Sequence, residues 1–248
     1  MNVSYQQAAE FLLQSDDFVI LCHQNPDGDT LGSGYALWNA LKNLGKRAVI
    51  RCSDPVPHQL RHVAEGYREE PFEPRTVVSV DIADEQLFGD GISEYLGKVD
   101  LAVDHHASHA FFAKRVLLEP DAAANCEIIC QLIRELGAPF TPQIAACLYT
   151  GMATDTGCFK FSNTTPRTHR LAAEMMEAGC DYAAISRAIF DTKSAGEFAI
   201  EREALNSLEV HFGGKAALIV LTQEMYRRCG ITEAEADGLS GLPRKLEG

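Results

Sequence analysis

The chain has 248 residues, enough for one large domain or one large and one small, and its 46% hydrophobic and 23% charged residues exclude a disordered or fibrous protein. A formal net charge of −13 argues against a protein that coats duplex nucleic acid, because such a surface repels a long phosphate backbone; a short phosphorylated substrate stays open, since a metal cluster supplies local positive charge. No uncharged run reaches the roughly 20 residues a membrane span needs, and no basic stretch followed by an apolar one marks a signal peptide, so a cytoplasmic protein with no membrane partner is expected.

In chain order, Ser4 to Gln14 reads as an amphipathic helix with Ala8, Ala9, Phe11 and Leu12 on its apolar side. Phe18-Val19-Ile20-Leu21-Cys22 is wholly apolar, as a strand buried on both faces would be. The loop His23-Gln24-Asn25-Pro26-Asp27-Gly28-Asp29 follows, then a helical pattern from Leu31 to Leu44 that stops on Gly45, then a strand at Ala48-Val49-Ile50. That is the β-α-β rhythm of a parallel sheet. A short helix is expected around Gln59 to Ala64. Strands are expected at Thr76 to Val80, ending on Asp81, and at Val99 to Val103, ending on Asp104-His105-His106. Helices are predicted over Asn125 to Leu136, Pro142 to Ala153, Pro166 or Thr168 to Ala178, Tyr182 to Phe190 and Ala195 to Leu208; a strand at Lys215 to Leu221 and a helix near Glu224 to Arg228 close the list, with little packed structure after Pro243. The fold class is α/β: a parallel-sheet domain over 1–190 with flanking helices, a linker helix over 191–210, and a partial C-terminal α/β segment over 211–248.

Eight scattered cysteines with no Cys-x-x-Cys pair read as buried free thiols; Cys126 and Cys130 share a helix face, but two thiols alone make a poor zinc site. The acids and imidazoles are more telling. His23, Asp27, Asp29, Asp81, His105 and Asp155 stand at the ends of apolar segments, and in open α/β sheets ligands bind beyond the carboxyl edge of the strands. A lone Asp at a strand end is more often a turn or cap residue. Six such residues together supply the mixed carboxylate and imidazole set that suits Mn²⁺-like ions, in a number that fits a two-metal centre hydrolysing phosphoesters. No Gly-x-Ser-x-Gly elbow supports acyl transfer, and no Gly-x-x-x-x-Gly-Lys loop supports an ATPase. The Gly28 to Ser33 stretch opens a helix and is expected either to offer amide N–H groups to phosphate oxygens or to serve as plain turn chemistry.

His23-x-Asn-Pro-Asp-Gly-Asp29, Asp81, Asp104-His105-His106 and Asp155-Thr156-Gly157 resemble, in order and spacing, the four motifs of the DHH phosphoesterase superfamily. Within it the segment Thr154 to Thr165 is most similar to the bacterial oligoribonuclease and 3′-phosphoadenosine 5′-phosphate phosphatase branch, and the likeness covers roughly residues 1 to 200. The resemblance implies His23, Asp27 and Asp81 on one metal, and Asp29, Asp81, His105 and Asp155 on the other, with Asp81 bridging. It implies two divalent ions, Mn²⁺ first and Mg²⁺ or Co²⁺ as alternatives. His106 would contact the scissile phosphate and Asp104 would orient an imidazole. Asn25, Ser33 and Arg167 are the candidate substrate contacts; Lys160 and Arg170 lie near the same motif, Arg170 reading as a solvated helix face.

The implied activity is hydrolysis of short RNA oligonucleotides, adenosine 3′,5′-bisphosphate, or both, by a metal-bridged hydroxide, in a protein that the resemblance makes a homodimer. Cyclic or linear dinucleotides and pyrophosphate are the rival substrates, and a nucleotide-binding regulator with weak turnover is the rival from outside enzymology. Relatives carry a C-terminal substrate-binding domain with a Gly-Gly-Gly-His-type loop; nothing like it follows Gly214, so that domain is expected to be incomplete here.

Overall fold

The first unit is built on five parallel strands: β1 (Phe18–Leu21), β2 (Ala48–Arg51), β3 (Thr76–Val80), β4 (Leu101–Asp104) and β5 (Arg115–Leu118), in the order β2-β1-β3-β4-β5. The computed structural model describes residues 1–247, with this unit spanning Met1–Phe190 and a second beginning at Asp191. Strand alternation sorts the apolar side chains into two layers. Phe18, Ile20, Val78, Val80, Leu101, Val103 and Leu117 face one side, where α1 (Tyr5–Gln14), α2 (Gly28–Asn43), α3 (Asn125–Glu135), α4 (Pro142–Asp155) and α5 (Pro166–Glu177) cover them. Val19, Leu21, Val49, Val77, Ala102 and Val116 face the other, under the stretch after β3, which contributes Ile82 and Phe88 from loops and Ile92 from a short 3₁₀ segment. Both faces are buried, which is why these strands are mostly apolar and β1 wholly so. Each fully buried Leu, Ile or Phe among them stabilises by about 1.5–3 kcal/mol.

The chain leaves β1 for β2 on one side and returns to β3 on the other. The crevice where the order reverses therefore opens at the carboxyl ends of β1 and β3; Asp81 follows the end of β3 directly and His23 stands two residues past the end of β1.

α2 is the central helix. It begins three residues before the expected Leu31, because the Asp27 carboxylate caps it by accepting the amide N–H groups of Asp29 (2.9 Å) and Thr30 (3.1 Å). It ends as expected at Gly45, whose φ of +77° closes the last turn. α2 lies very close to α4: a Cβ on Gly151 would collide with Cys126 Sγ and come within 2.6 Å of Asp29 Oδ1. Gly151→Ala is thus expected to cost about 1–3 kcal/mol by overpacking, about 2–12 °C in Tm for a domain of this size, and to weaken divalent-ion binding by displacing Asp29. Differential scanning calorimetry and metal titration measure the two effects.

Several expectations shift. β5 was not foreseen; it is four residues long and opens on Arg115, so it carries no strong strand signal. The helix expected over Tyr182 to Phe190 is α-helical only as α6 (Tyr182–Ser186), continuing as π-helical turns over Arg187–Asp191. In the second unit, α7 (Ala195–Asn206), a hairpin of β6 (Glu209–His211) and β7 (Ala216–Leu218), and α8 (Gln223–Cys229) accompany a small core of Ile200, Ala204, Ala236 and Leu239. The last strand is shorter than Lys215 to Leu221, β6 was not foreseen, and 3₁₀ turns occupy Ala234–Gly241 and Pro243–Lys245.

Candidate metal centre

Each ligand-type side chain is positioned by backbone groups that the fold supplies. Thr30, fully buried in the first turn of α2, donates its hydroxyl to the Val80 carbonyl (3.1 Å) and accepts the His23 amide (3.4 Å), so it ties the end of β1 to the end of β3. His23 Nδ1 donates to the Gln24 carbonyl (2.8 Å) and His105 Nδ1 to the Ala122 carbonyl (3.1 Å). A carbonyl only accepts, so each Nδ1 carries the proton and each Nε2 can offer its lone pair; this is the tautomer of a metal-ligating imidazole.

These Nε2 atoms face carboxylates. His23 Nε2 lies 3.7 Å from Asp27 Oδ1 and 3.8 Å from Asp81 Oδ2. His105 Nε2 lies 3.4 Å from Asp81 Oδ1, 3.5 Å from Asp155 Oδ2 and 3.8 Å from Asp29 Oδ2. Two groups able to hold a metal ion result, His23-Asp27-Asp81 and Asp29-His105-Asp155, each with its ligand atoms within 4.8 Å of one another. Asp81 sits between them with one oxygen toward each histidine. Its φ of +59° is the left-handed conformation, which Asp tolerates better than most residues and which recurs at functional sites. Asp29 is anchored from behind, accepting the amide N–H groups of Asn125 (2.5 Å) and Cys126 (2.9 Å) at the start of α3. Asp155 is the last residue of α4 rather than a loop residue after it.

The donor set fits divalent cations. Asp81 Oδ1 and His105 Nε2 are buried without a hydrogen-bond partner among the described residues, a condition that costs about 1–3 kcal/mol per group and that an ion between them would relieve. Imidazole nitrogen with carboxylate oxygen, and no thiolate, is the chemistry of Mn²⁺-like ions rather than of structural zinc. A third group, Asp81-His105-His106, is less apt: the His106 nitrogen nearest Asp81 is Nδ1, already bonded to Asp104 Oδ1 at 2.8 Å.

Asp104 is fully buried and accepts three hydrogen bonds, from the His105 amide and His106 Nδ1 on Oδ1 and from His109 Nδ1 on Oδ2, all 2.8 Å. Burial alone would raise its pKa, but the two imidazole bonds outweigh it and hold the carboxyl far below the usual range. The other acids go the opposite way. Burial, then the charges of Asp29 and Asp27, push Asp155 up to about 8, and burial with neighbouring carboxylates raises Asp81 and Asp29 as well. Burial pulls His105 and His23 down, but Asp29 beside the first and Asp27 beside the second raise them on balance.

A carboxyl whose pKa is higher folded than unfolded holds its proton more tightly in the folded state. For Asp155 that stabilisation is full below the ordinary 3.8 and is lost as pH rises through about 8. The metal-free protein is therefore expected to melt at progressively lower temperature between about pH 5 and pH 8, by about 2–4 °C for each kcal/mol lost. Saturating divalent ion should flatten the trend, because it binds only the folded state. Thermal melts across pH, with and without chelator, check both halves.

His23, Gln24, Asp27, Asp81, Leu87, His105, His106 and Asp155 line a cleft of about 230 Å³. A larger cavity of about 760 Å³, bordered by Asn39, His62, Thr141 and Cys180, contains none of the candidate ligands, and its His62 and Gln143 side chains are already bonded to Thr150 and to backbone carbonyls.

The three candidate substrate contacts fall outside the cleft lining. Asn25 is exposed on the His23 loop, its amide bonded to Asp54. Ser33 is fully buried one turn into α2, its hydroxyl engaged by Asn125 Nδ2 and Cys126 Sγ. Arg167 is paired with Glu119 (2.8 Å) and Glu127 (3.3 Å). The first-turn amides of α2 that could have met a phosphate are taken by Asp27 instead. Sequence reasoning missed His109, the Ala122 carbonyl and the Asn125 and Cys126 amides; of these only His109, five residues after Asp104, left any trace in the text of the chain.

The profile of the DHH family, N-terminal domain, matches residues 17–152. The chain belongs to the DHH family. Among its DHH relatives, the bifunctional oligoribonuclease and PAP phosphatase NrnA of Thermus thermophilus is 32% identical over 235 residues, which is 92% of this chain and 69% of that protein. The Bacillus subtilis protein of the same name is 22% identical over 242 residues, 94% of this chain and 75% of its own length. A crystal structure of an exopolyphosphatase-related protein from Bacteroides fragilis superimposes with a TM-score of 0.88 at 22% identity, covering 98% of this chain and 76% of that one, which shows that the DHH fold is shared.

Proposed function

We propose that the chain is a two-metal phosphoesterase acting on short RNA oligonucleotides and adenosine 3′,5′-bisphosphate. The observation that carries this reading is Asp81: one carboxylate oxygen faces His23 Nε2 and the other faces His105 Nε2, at 3.8 and 3.4 Å, between two separate ligand groups. His23, Asp27 and Asp81 would hold one ion, and Asp29, Asp81, His105 and Asp155 the other. The mixed donor set favours Mn²⁺, with Mg²⁺ or Co²⁺ as substitutes. Two such ions supply Lewis acidity toward phosphoryl oxygens and acidify water. The substrate class follows the names of the Thermus and Bacillus relatives.

The chain's own groups do the rest. The His106 ring is fixed through its Nδ1–H by the Asp104 carboxylate; as the imidazolium, with a second proton on Nε2, it would donate that Nε2–H to a phosphoryl oxygen as negative charge builds on it. Leu87 gives the cleft an apolar wall and Gln24 a polar one. A cleft of about 230 Å³ is of a size to take a phosphoryl group.

The test is Mn²⁺-dependent hydrolysis of adenosine 3′,5′-bisphosphate, a short RNA oligomer, linear di-adenylate and pyrophosphate by the same preparation, with Asp81→Ala as the blank. Turnover of the bisphosphate or the oligomer supports the reading, and their ratio sets the preference. Turnover of pyrophosphate alone would overturn the substrate class. Nucleotide binding without turnover of any of the four would make the chain a regulator.

A further inference from the structure

We propose that His109 is a positioning residue for this reaction, acting through Asp104 to hold the His106 imidazole in its working orientation; the inference rests on the role given to His106 above. Three observations carry it. First, His109 Nδ1 and His106 Nδ1 bond to opposite oxygens of one carboxylate, each at 2.8 Å, so Asp104 is a buried bridge between an exposed imidazole in the cleft and a buried one behind it. Second, the His109 ring packs on two aromatic rings, 5.4 Å from Phe111 in an edge contact and 5.1 Å from Phe112, and its side chain is fully buried. Third, His109 Nε2 is buried with no hydrogen-bond partner among the described residues.

The third observation selects the tautomer. A second N–H at Nε2 would be buried with no acceptor among the described residues, so the geometry favours a single proton, on Nδ1 and directed at Asp104 Oδ2. A neutral donor serves here where a charged one would not. A lysine or a protonated histidine at that place would neutralise Asp104 and weaken its grip on His106. A neutral N–H fixes the carboxylate plane and leaves its full negative charge to face the cleft-side imidazole. With Oδ1 also accepting the His105 amide, Asp104 has no freedom to rotate about its side chain, and His106 Nδ1 has one place to donate.

Wild-type protein labelled with ¹⁵N-imidazole, loaded with diamagnetic Mg²⁺, gives the direct measurement. His109 is expected to show a slowly exchanging Nδ1–H and a bare Nε2, and His106 a second, downfield Nδ1–H. A His109 ring protonated on Nε2 would overturn the proposal in the wild type itself, whatever the variants do. His109→Leu is expected to bring the His106 Nδ1–H into rapid exchange with water and to lower kcat by about 10–100-fold, with KM and metal content within about twofold. His109→Asn, whose amide nitrogen occupies nearly the place of Nδ1, should restore the His106 signal and most of kcat. A His109→Leu protein with wild-type kcat and an intact His106 resonance would refute it, and so would a His109→Asn protein as impaired as His109→Leu. If the wild type turns over none of the four phosphoesters, the functional reading fails separately, and the imidazole resonances still decide whether His109 holds Asp104.

Discussion

Replacing Asp81 should abolish turnover, by about a thousandfold or more, which is about 4 kcal/mol of transition-state stabilisation. Asp81 belongs to one ligand group and faces His105 of the other at 3.4 Å, so loss of this proposed bridge should disable both at once rather than one alone. Asp81→Asn is the cleaner variant, because Asn accepts the left-handed backbone that φ +59° imposes, whereas Ala adds about 1 kcal/mol of conformational strain. The same change should raise the melting temperature of the metal-free protein near neutral pH. It removes a buried acid whose pKa is raised by burial and by Asp29, Asp27, Asp155 and Asp104, and so relieves a site that is electrostatically strained without its ions. Steady-state kinetics, metal content by atomic emission and thermal melts read the three consequences. Retained turnover would sink the bridging assignment, and a lower metal-free melting temperature would sink the account of strain.

His106→Ala should lower kcat by about 10²–10³-fold, the usual cost of removing a donor aimed at developing negative charge. The size of the drop matters less than what accompanies it. His106 Nδ1 is committed to Asp104 at 2.8 Å and stands 3.6 Å from Asp81, so the variant should bind as much metal as the wild type. If instead metal content falls as is expected for Asp81→Asn, then His106 is a ligand, the Asp81-His105-His106 group is the occupied one, and the phosphate-contact role is wrong. KM should change little, because a contact that strengthens in the transition state contributes mainly to kcat.

Both variants act on residues whose chemical type is plain in the chain and whose partners are not. The parallel sheet was legible because its strands are buried on both faces: Phe18 to Leu21 is wholly apolar and Thr76 to Val80 mostly so, and a ligand-type residue stands within two positions of each strand's end. The helices were legible from their periodicity and stops, down to Gly45. β5 was not, since a four-residue edge strand opening on Arg115 differs little from a loop until β4 is beside it.

In the centre, the sequence by itself determined which residues have metal-ligand chemistry and that His23, Asp81 and His105 follow the ends of strands. A local pattern can carry that much, because side-chain chemistry and strand termination are both local properties. Only the tertiary structure decided the rest. The amides of Asn125 and Cys126 grip Asp29 across 96 and 97 positions of chain, the Ala122 carbonyl sets the tautomer of His105, and packing against α3 buries Ser33 out of reach of the cleft. Backbone amides and carbonyls are the same at every position, so no pattern of residue types announces which of them will meet a side chain from elsewhere. Their choice is made when the sheet order brings the strand ends together, and with it the orientation of every imidazole in the site.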